Sequence, residues 1–116
     1  MHDNSSSEVA REIFLKWRLG SRAALRIVRV AIGYTSDIQL GHAGYTCDAK
    51  DIMSVMTLSV DAKPEDVTKV GGFCLKAGAK IRITARGTDA VAAGSAIEKE
   101  FCNPELDFDR KAEPSN

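Results

Sequence analysis

A chain of 116 residues has room for one domain built around a single modest core. Its 16 basic and 16 acidic residues give a formal net charge of zero, which argues against bulk electrostatic capture of nucleic acid or of an anionic membrane. Hydrophobic residues make up 44% of the chain, the share of an ordinary globular domain, but nowhere do the roughly 18 consecutive apolar residues of a membrane span occur.

Residues 1–8 are polar and serine-rich and read as a disordered tail, without the apolar run that a secretory leader needs. From Val9 to Trp17 the chain alternates, with Ile13, Leu15 and Trp17 on one side and Glu12 and Lys16 on the other; period two predicts a half-buried strand whose polar face only Phe14 interrupts. From Arg22 the period lengthens. Ala24, Ile27, Val28 and Ala31 recur at helical spacing, Ser21 is the predicted N-cap and Gly33 the predicted terminator. Asp37–Leu40 and Tyr45–Cys47 predict two short strands joined around Gly41-His42-Ala43-Gly44, with glycine where the turn needs positive φ. Asp51 is the predicted cap of a short apolar helix over Ile52–Leu58. Within the stretch 61–75, Pro64-Glu65-Asp66 reads as a helix start, Gly71-Gly72 as a stop, and Phe73 and Leu75 as residues that pack over the end of the sheet. Lys80–Arg86 alternates again, with Ile81, Ile83 and Ala85 inward; Gly87 ends this strand, and Thr88 is the predicted cap of a last helix carrying Ala90, Ala93, Ile97 and Phe101 on one side. Residues 103–116 are polar with two prolines and read as a second tail.

The folded part is therefore expected over residues 9–102, as an α+β domain in the order βαββαβα. An antiparallel sheet with one face covered by helices is the economical way to bury these stripes. Cys47, Cys74 and Cys102 are odd in number and lack C-x-x-C spacing. They suggest neither a zinc site nor a disulfide framework, but small buried apolar groups in a reducing cytoplasm.

Three stretches carry a resemblance. Gly20-Ser21-Arg22-Ala23-Ala24-Leu25-Arg26-Ile27-Val28 resembles the H-A-R-P-A-x-x-L-V motif of the HPr family, the histidine-containing phosphocarriers of the sugar phosphotransferase system. Tyr34-Thr35-Ser36-Asp37-Ile38 through Ala49-Lys50-Asp51-Ile52-Met53 resembles that family's F-x-S-x-I … A-K-S-I-M stretch, and Gly78 with Ile81–Gly87 resembles its G-x-x-(I/V)-x-I-x-A-x-G strand. The resemblance implies an open-faced β-sandwich, a four-stranded antiparallel sheet with three helices on one face, interrupted by an insertion near residues 61–75. It also exposes departures. Gly20 stands at the place of the phosphorylated histidine, Ala23 at that of the proline, and Asp51 at that of the serine that a kinase modifies in many Gram-positive relatives.

A phosphoryl relay needs a nucleophile that holds the group and then releases it, and glycine offers none. The chain has two histidines, His2 and His42, and neither aligns with the motif. What the resemblance leaves is an anion cradle of Ser21 and Arg22 at a helix N-terminus; otherwise Ser21 merely caps the helix and Arg22 is a solvated charge. Arg22, Arg26 and Arg29 make one basic stripe, which in the family docks acidic protein surfaces and otherwise is a plain solvated face. No aromatic residues interleave with it, which disfavours nucleic acid. Ile52, Met53 and Met56 match the family's apolar docking patch; without the resemblance they read as core. Asp51 either caps its helix or imitates, through its fixed charge, a phosphorylated regulatory position.

The first reading is thus a non-catalytic regulatory or adaptor module. It is cytoplasmic, is not an enzyme, and needs no cofactor and no metal. Its partners are proteins, either phosphotransferase-system components or a transcriptional regulator, with no nucleic acid and no membrane. Two alternatives stand beside it: a phosphocarrier with a non-standard acceptor such as Ser21, and a divergent anion- or protein-binding domain unrelated to sugar transport.

Overall fold

A computed structural model describes residues 7–59 and 75–108. The elements are β1 (Ser7–Phe14), α1 (Ser21–Ile32), β2 (Asp37–His42), β3 (Tyr45–Asp48), α2 (Ile52–Met56), β4 (Lys80–Gly87) and α3 (Ala90–Phe101), with 3-10 turns at Thr57–Ser59 and Pro104–Leu106. The four strands form one antiparallel sheet in the order β1-β4-β2-β3, the α+β architecture expected from the sequence.

Alternation explains why β4 is central. Ile81, Ile83 and Ala85 are fully buried beneath the helices, while Lys80, Arg82 and Arg86 point to the open face. There Arg82 lies opposite Glu12 and Arg86 opposite Glu8, at ion-pair distances of 3.4 and 3.3 Å. Such exposed pairs are each worth well under about 1 kcal/mol, but a slip of one residue would bury these charges, so they enforce the register. Ile38 and Leu40 of β2 continue the apolar layer. Above it lie Ala23, Ala24, Ile27 and Ala31 of α1 and Ala90, Ala93, Ile97 and Phe101 of α3. The small residues let α3 approach the sheet closely: a Cβ on Gly94 would sit 3.1 Å from Val9 Cγ2 and 3.2 Å from Arg11 Nε.

Several boundaries differ from the sequence expectation. β1 begins at Ser7, opposite Gly87, so Ser7 and Glu8 belong to the sheet rather than to a tail. The N-cap of α1 is Gly20, not Ser21, and that of α3 is Asp89, not Thr88. The hairpin turn is made by Ala43 (φ 52°) and Gly44 (φ 86°) alone, the two positive-φ residues of a tight primed turn, while Gly41 and His42 are part of β2. The helix expected over Ile52–Leu58 is a five-residue α2 followed by a 3-10 turn. The chain after α3 also folds back: Leu106 is buried and the Phe108 N–H bonds to the Arg18 carbonyl, so the domain extends beyond Cys102. Cys102 itself is half-buried. The excursion from Pro64 to Phe73, and Cys74, lie outside the described residues. Leu75 is buried and exchanges two backbone hydrogen bonds with Leu19, 2.8 and 3.0 Å long. Among the described residues no helix is long and apolar enough to cross a membrane.

Candidate anion cleft and docking face

The amino end of α1 is shaped by Gly20. Its backbone is extended (φ −112°, ψ −168°), and its carbonyl accepts from the N–H groups of Ala23 at 2.9 Å and Ala24 at 3.4 Å. Ser21 is therefore the first helical residue, no side chain caps the helix, and its first turn holds no acid. The positive end of the helix dipole is left without a side-chain acceptor. Gly20, Ser21, Arg22 and Ala23 form one wall of a cleft of about 270 Å³. The expected anion-binding pair, Ser21 and Arg22, thus shares one wall. The opposite wall is Glu105, Leu106, Asp107 and Phe108, and its two carboxylates make the cleft less favourable to an anion than the helix end alone.

That wall was hidden inside the predicted carboxy-terminal tail. Asn103 accepts from the N–H of Glu105 at 3.0 Å and so caps the turn that Pro104 opens. The N–H of Phe108 donates to the Arg18 carbonyl at 2.8 Å, and the Arg18 guanidinium lies 4.7 Å from the centre of the Phe108 ring. Asn-Pro-Glu is a helix-start pattern, and Leu106 and Phe108 are apolar; these signals were available in the sequence.

The basic stripe is divided by this arrangement. Arg22 and Arg29 are exposed, and among the described residues neither has an ion-pair partner. Arg26, expected to serve docking, is instead engaged: its Nε donates to Glu100 at 2.8 Å and its Nη1 to Glu105 at 3.3 Å. These acids lie 74 and 79 residues away along the chain, beyond any local pattern. Leu25, 55% exposed, shares the outer face of α1. On α2, which packs against α1, Met53 is 74% exposed, whereas Ile52 and Met56 are half-buried against the core. The apolar part of the expected patch therefore narrows to Met53. Asp51 caps α2, accepting from the Met53 N–H and from the Ser54 hydroxyl, both at 3.1 Å.

His42 sits in a separate cleft beside the hairpin, with Tyr45, Lys80 and Arg82, and its Nδ1 is 3.3 Å from the Lys80 carbonyl. It shares no wall with Ser21. His2 lies outside the described residues. No group of three potential ligands that could hold a metal occurs among the described residues.

Two perturbed groups lie elsewhere. Asp89 takes the Ser36 hydroxyl and the N–H groups of Ser36 and Thr35, the latter two at 2.9 Å. These donors, the Ser36 hydroxyl foremost, bring its carboxyl down to about 2. Burial pushes the Cys47 thiol up to about 11, which keeps it protonated and unreactive.

Comparison with known proteins adds the following. The model of a family described as "PTS HPr component phosphorylation site" matches residues 11–68. The crystal structure of a phosphocarrier protein HPr from Bacillus anthracis is 27% identical with a TM-score of 0.64, the match covering 81% of this chain and 96% of that one. A histidine-containing phosphocarrier protein of Mycoplasma has the same TM-score at 22% identity, over 86% and 99% of the two chains; at that identity it speaks for the fold. The Bacillus subtilis catabolite repression protein Crh, described as a swapped dimer, is 27% identical with a TM-score of 0.50, over 77% and 85%.

Proposed function

Since this chain belongs to the HPr family of phosphocarriers of the sugar phosphotransferase system, we propose that it is a member that docks protein partners without carrying phosphate. The observation behind this reading is Gly20. By the resemblance of residues 20–28 to the family motif it takes the histidine's place; it is the N-cap of α1, and among the described residues no imidazole lines the cleft beside it. The nitrogen nucleophile that a relay requires is missing from that spot.

The surface left for docking is the outer face of α1 with Arg22, Leu25 and Arg29, together with Met53 of α2. Exposed arginines on α1 and an adaptable exposed methionine on α2 suit an acidic protein surface that also offers apolar contact. A phosphotransferase-system component or a transcriptional regulator in the cytoplasm is the partner class we propose. A regulatory partner agrees with the likeness to a protein named for catabolite repression. Asp51 then contributes a constant negative charge where relatives carry a modifiable serine, in addition to capping α2.

The purified chain, incubated with phosphotransferase enzyme I, phosphoenolpyruvate and magnesium, should show an unchanged intact mass. Enzyme I should nevertheless shift the amide resonances of α1 and α2. A gain of about 80 Da would overturn the reading; if Ser21→Ala abolished that gain, Ser21 would be the acceptor.

A further inference from the structure

We infer that residues 103–108 act as an intramolecular strap that competes with an acidic partner for Arg26; this rests on the docking reading of α1 above. The strap continues from the end of α3 and is anchored over its second half. Leu106 is buried in the core, and Phe108 is held by the Arg18 carbonyl and guanidinium. Just before these anchors, between the end of α3 and Leu106, Glu105 is carried to the amino-terminal half of α1, across the cleft from Arg22.

The two carboxylates on Arg26 are not equivalent. The Glu100 side chain is only 13% exposed and meets Nε at 2.8 Å, so it belongs to the folded domain. The Glu105 side chain is 60% exposed and meets Nη1 at 3.3 Å, a solvated contact of small strength. An incoming carboxylate can therefore take the place of Glu105 while Glu100 keeps the guanidinium oriented. The strap does not abolish docking but sets a threshold: a weakly acidic surface fails to displace Glu105, and a strongly acidic one succeeds.

The probe is a ten-residue poly-glutamate peptide titrated into the chain at low salt, followed by the backbone amide resonances of α1. Glu105→Gln removes the competing charge and no buried apolar group, so the domain keeps its fold. It should bind the peptide about threefold or more tighter than the wild type, with the gain shrinking as salt is raised. The gain should vanish when Arg26→Gln is added. Glu8→Gln, which removes an equal charge from the far face of the sheet, should give none. Equal binding by the wild type and Glu105→Gln would overturn the strap and leave the docking reading standing. So would a gain that survives Arg26→Gln or is matched by Glu8→Gln. Binding by neither protein would remove the docking reading and the strap with it.

Discussion

Asp89 holds Ser36 by two hydrogen bonds, one from its backbone N–H at 2.9 Å and one from its hydroxyl, and so ties the start of β2 to the start of α3. Ser36 is the one buried polar residue of the described core, and Asp89 is the reason it is tolerated there. The arrangement also takes Asp89 away from the usual work of an N-cap, since its carboxylate serves the 35–36 turn and not its own helix.

This clasp makes stability depend on acid. The Asp89 carboxyl falls from 3.8 to about 2 on folding, so the folded chain binds this proton less readily than the unfolded one. The contribution is complete above the unfolded value and is lost as pH falls through about 2. Urea midpoints of the wild type and Asp89→Ala should differ at pH 6 and converge towards pH 2. A difference that stays constant across that range would show that the charge is irrelevant.

The glycines of the sheet and its hairpin turn should rank by their surroundings. A Cβ on Gly87 (φ +148°) would lie 2.5 Å from Ser36 Oγ and 2.8 Å from Ser36 Cα. Because backbone is in the way, Gly87→Ala should cost about 1–3 kcal/mol. Gly44 (φ +86°) has open space around it, so Gly44→Ala bears backbone strain alone, about 1 kcal/mol. A Cβ on Gly41 meets only ordinary contacts at 3.6 Å, and Gly41→Ala should be the mildest of the three. Thermal denaturation of the three variants checks the order.

Met53 and Leu58 separate docking from packing. Met53 is 74% exposed and Leu58 fully buried. Met53→Ala should leave stability within about 0.5 kcal/mol of the wild type while weakening partner binding. Leu58→Ala should cost about 2–5 kcal/mol. Chemical denaturation with a parallel binding assay distinguishes them; a large stability loss for Met53→Ala would return it to the core.

With its thiol pushed up to about 11 by burial, Cys47 is about one part in a thousand thiolate at pH 8. Iodoacetamide should alkylate it at least about a hundredfold more slowly in the native chain than in urea. Peptide mapping by mass spectrometry reads this residue separately from Cys74 and Cys102.

The sheet and the helices were legible because their periods are clean. Ile81-Arg82-Ile83 announces a strand with one wet face, and Ala24, Ile27 and Ala31 announce a helix with one dry stripe. The caps were less legible. Ser21 and Thr88 have better capping chemistry than Gly20, and the same chemistry as Asp89, yet backbone geometry and the needs of Ser36 decided otherwise. The site was legible only on its α1 wall. Glu100 and Glu105 meet Arg26 through the tertiary fold, so a stripe of three arginines gave no hint that its middle member was already engaged.

The sheet order has a consequence for how the chain is made. β4 lies between β1 and β2, yet of the four described strands it is the last to leave the ribosome. Until residues 80–87 emerge, β1 has no neighbour to pair with and only the β2–β3 hairpin can close. Assembly must therefore wait for a late insertion into the middle, which makes the sheet slow to form and leaves its apolar edges open to stray association during synthesis.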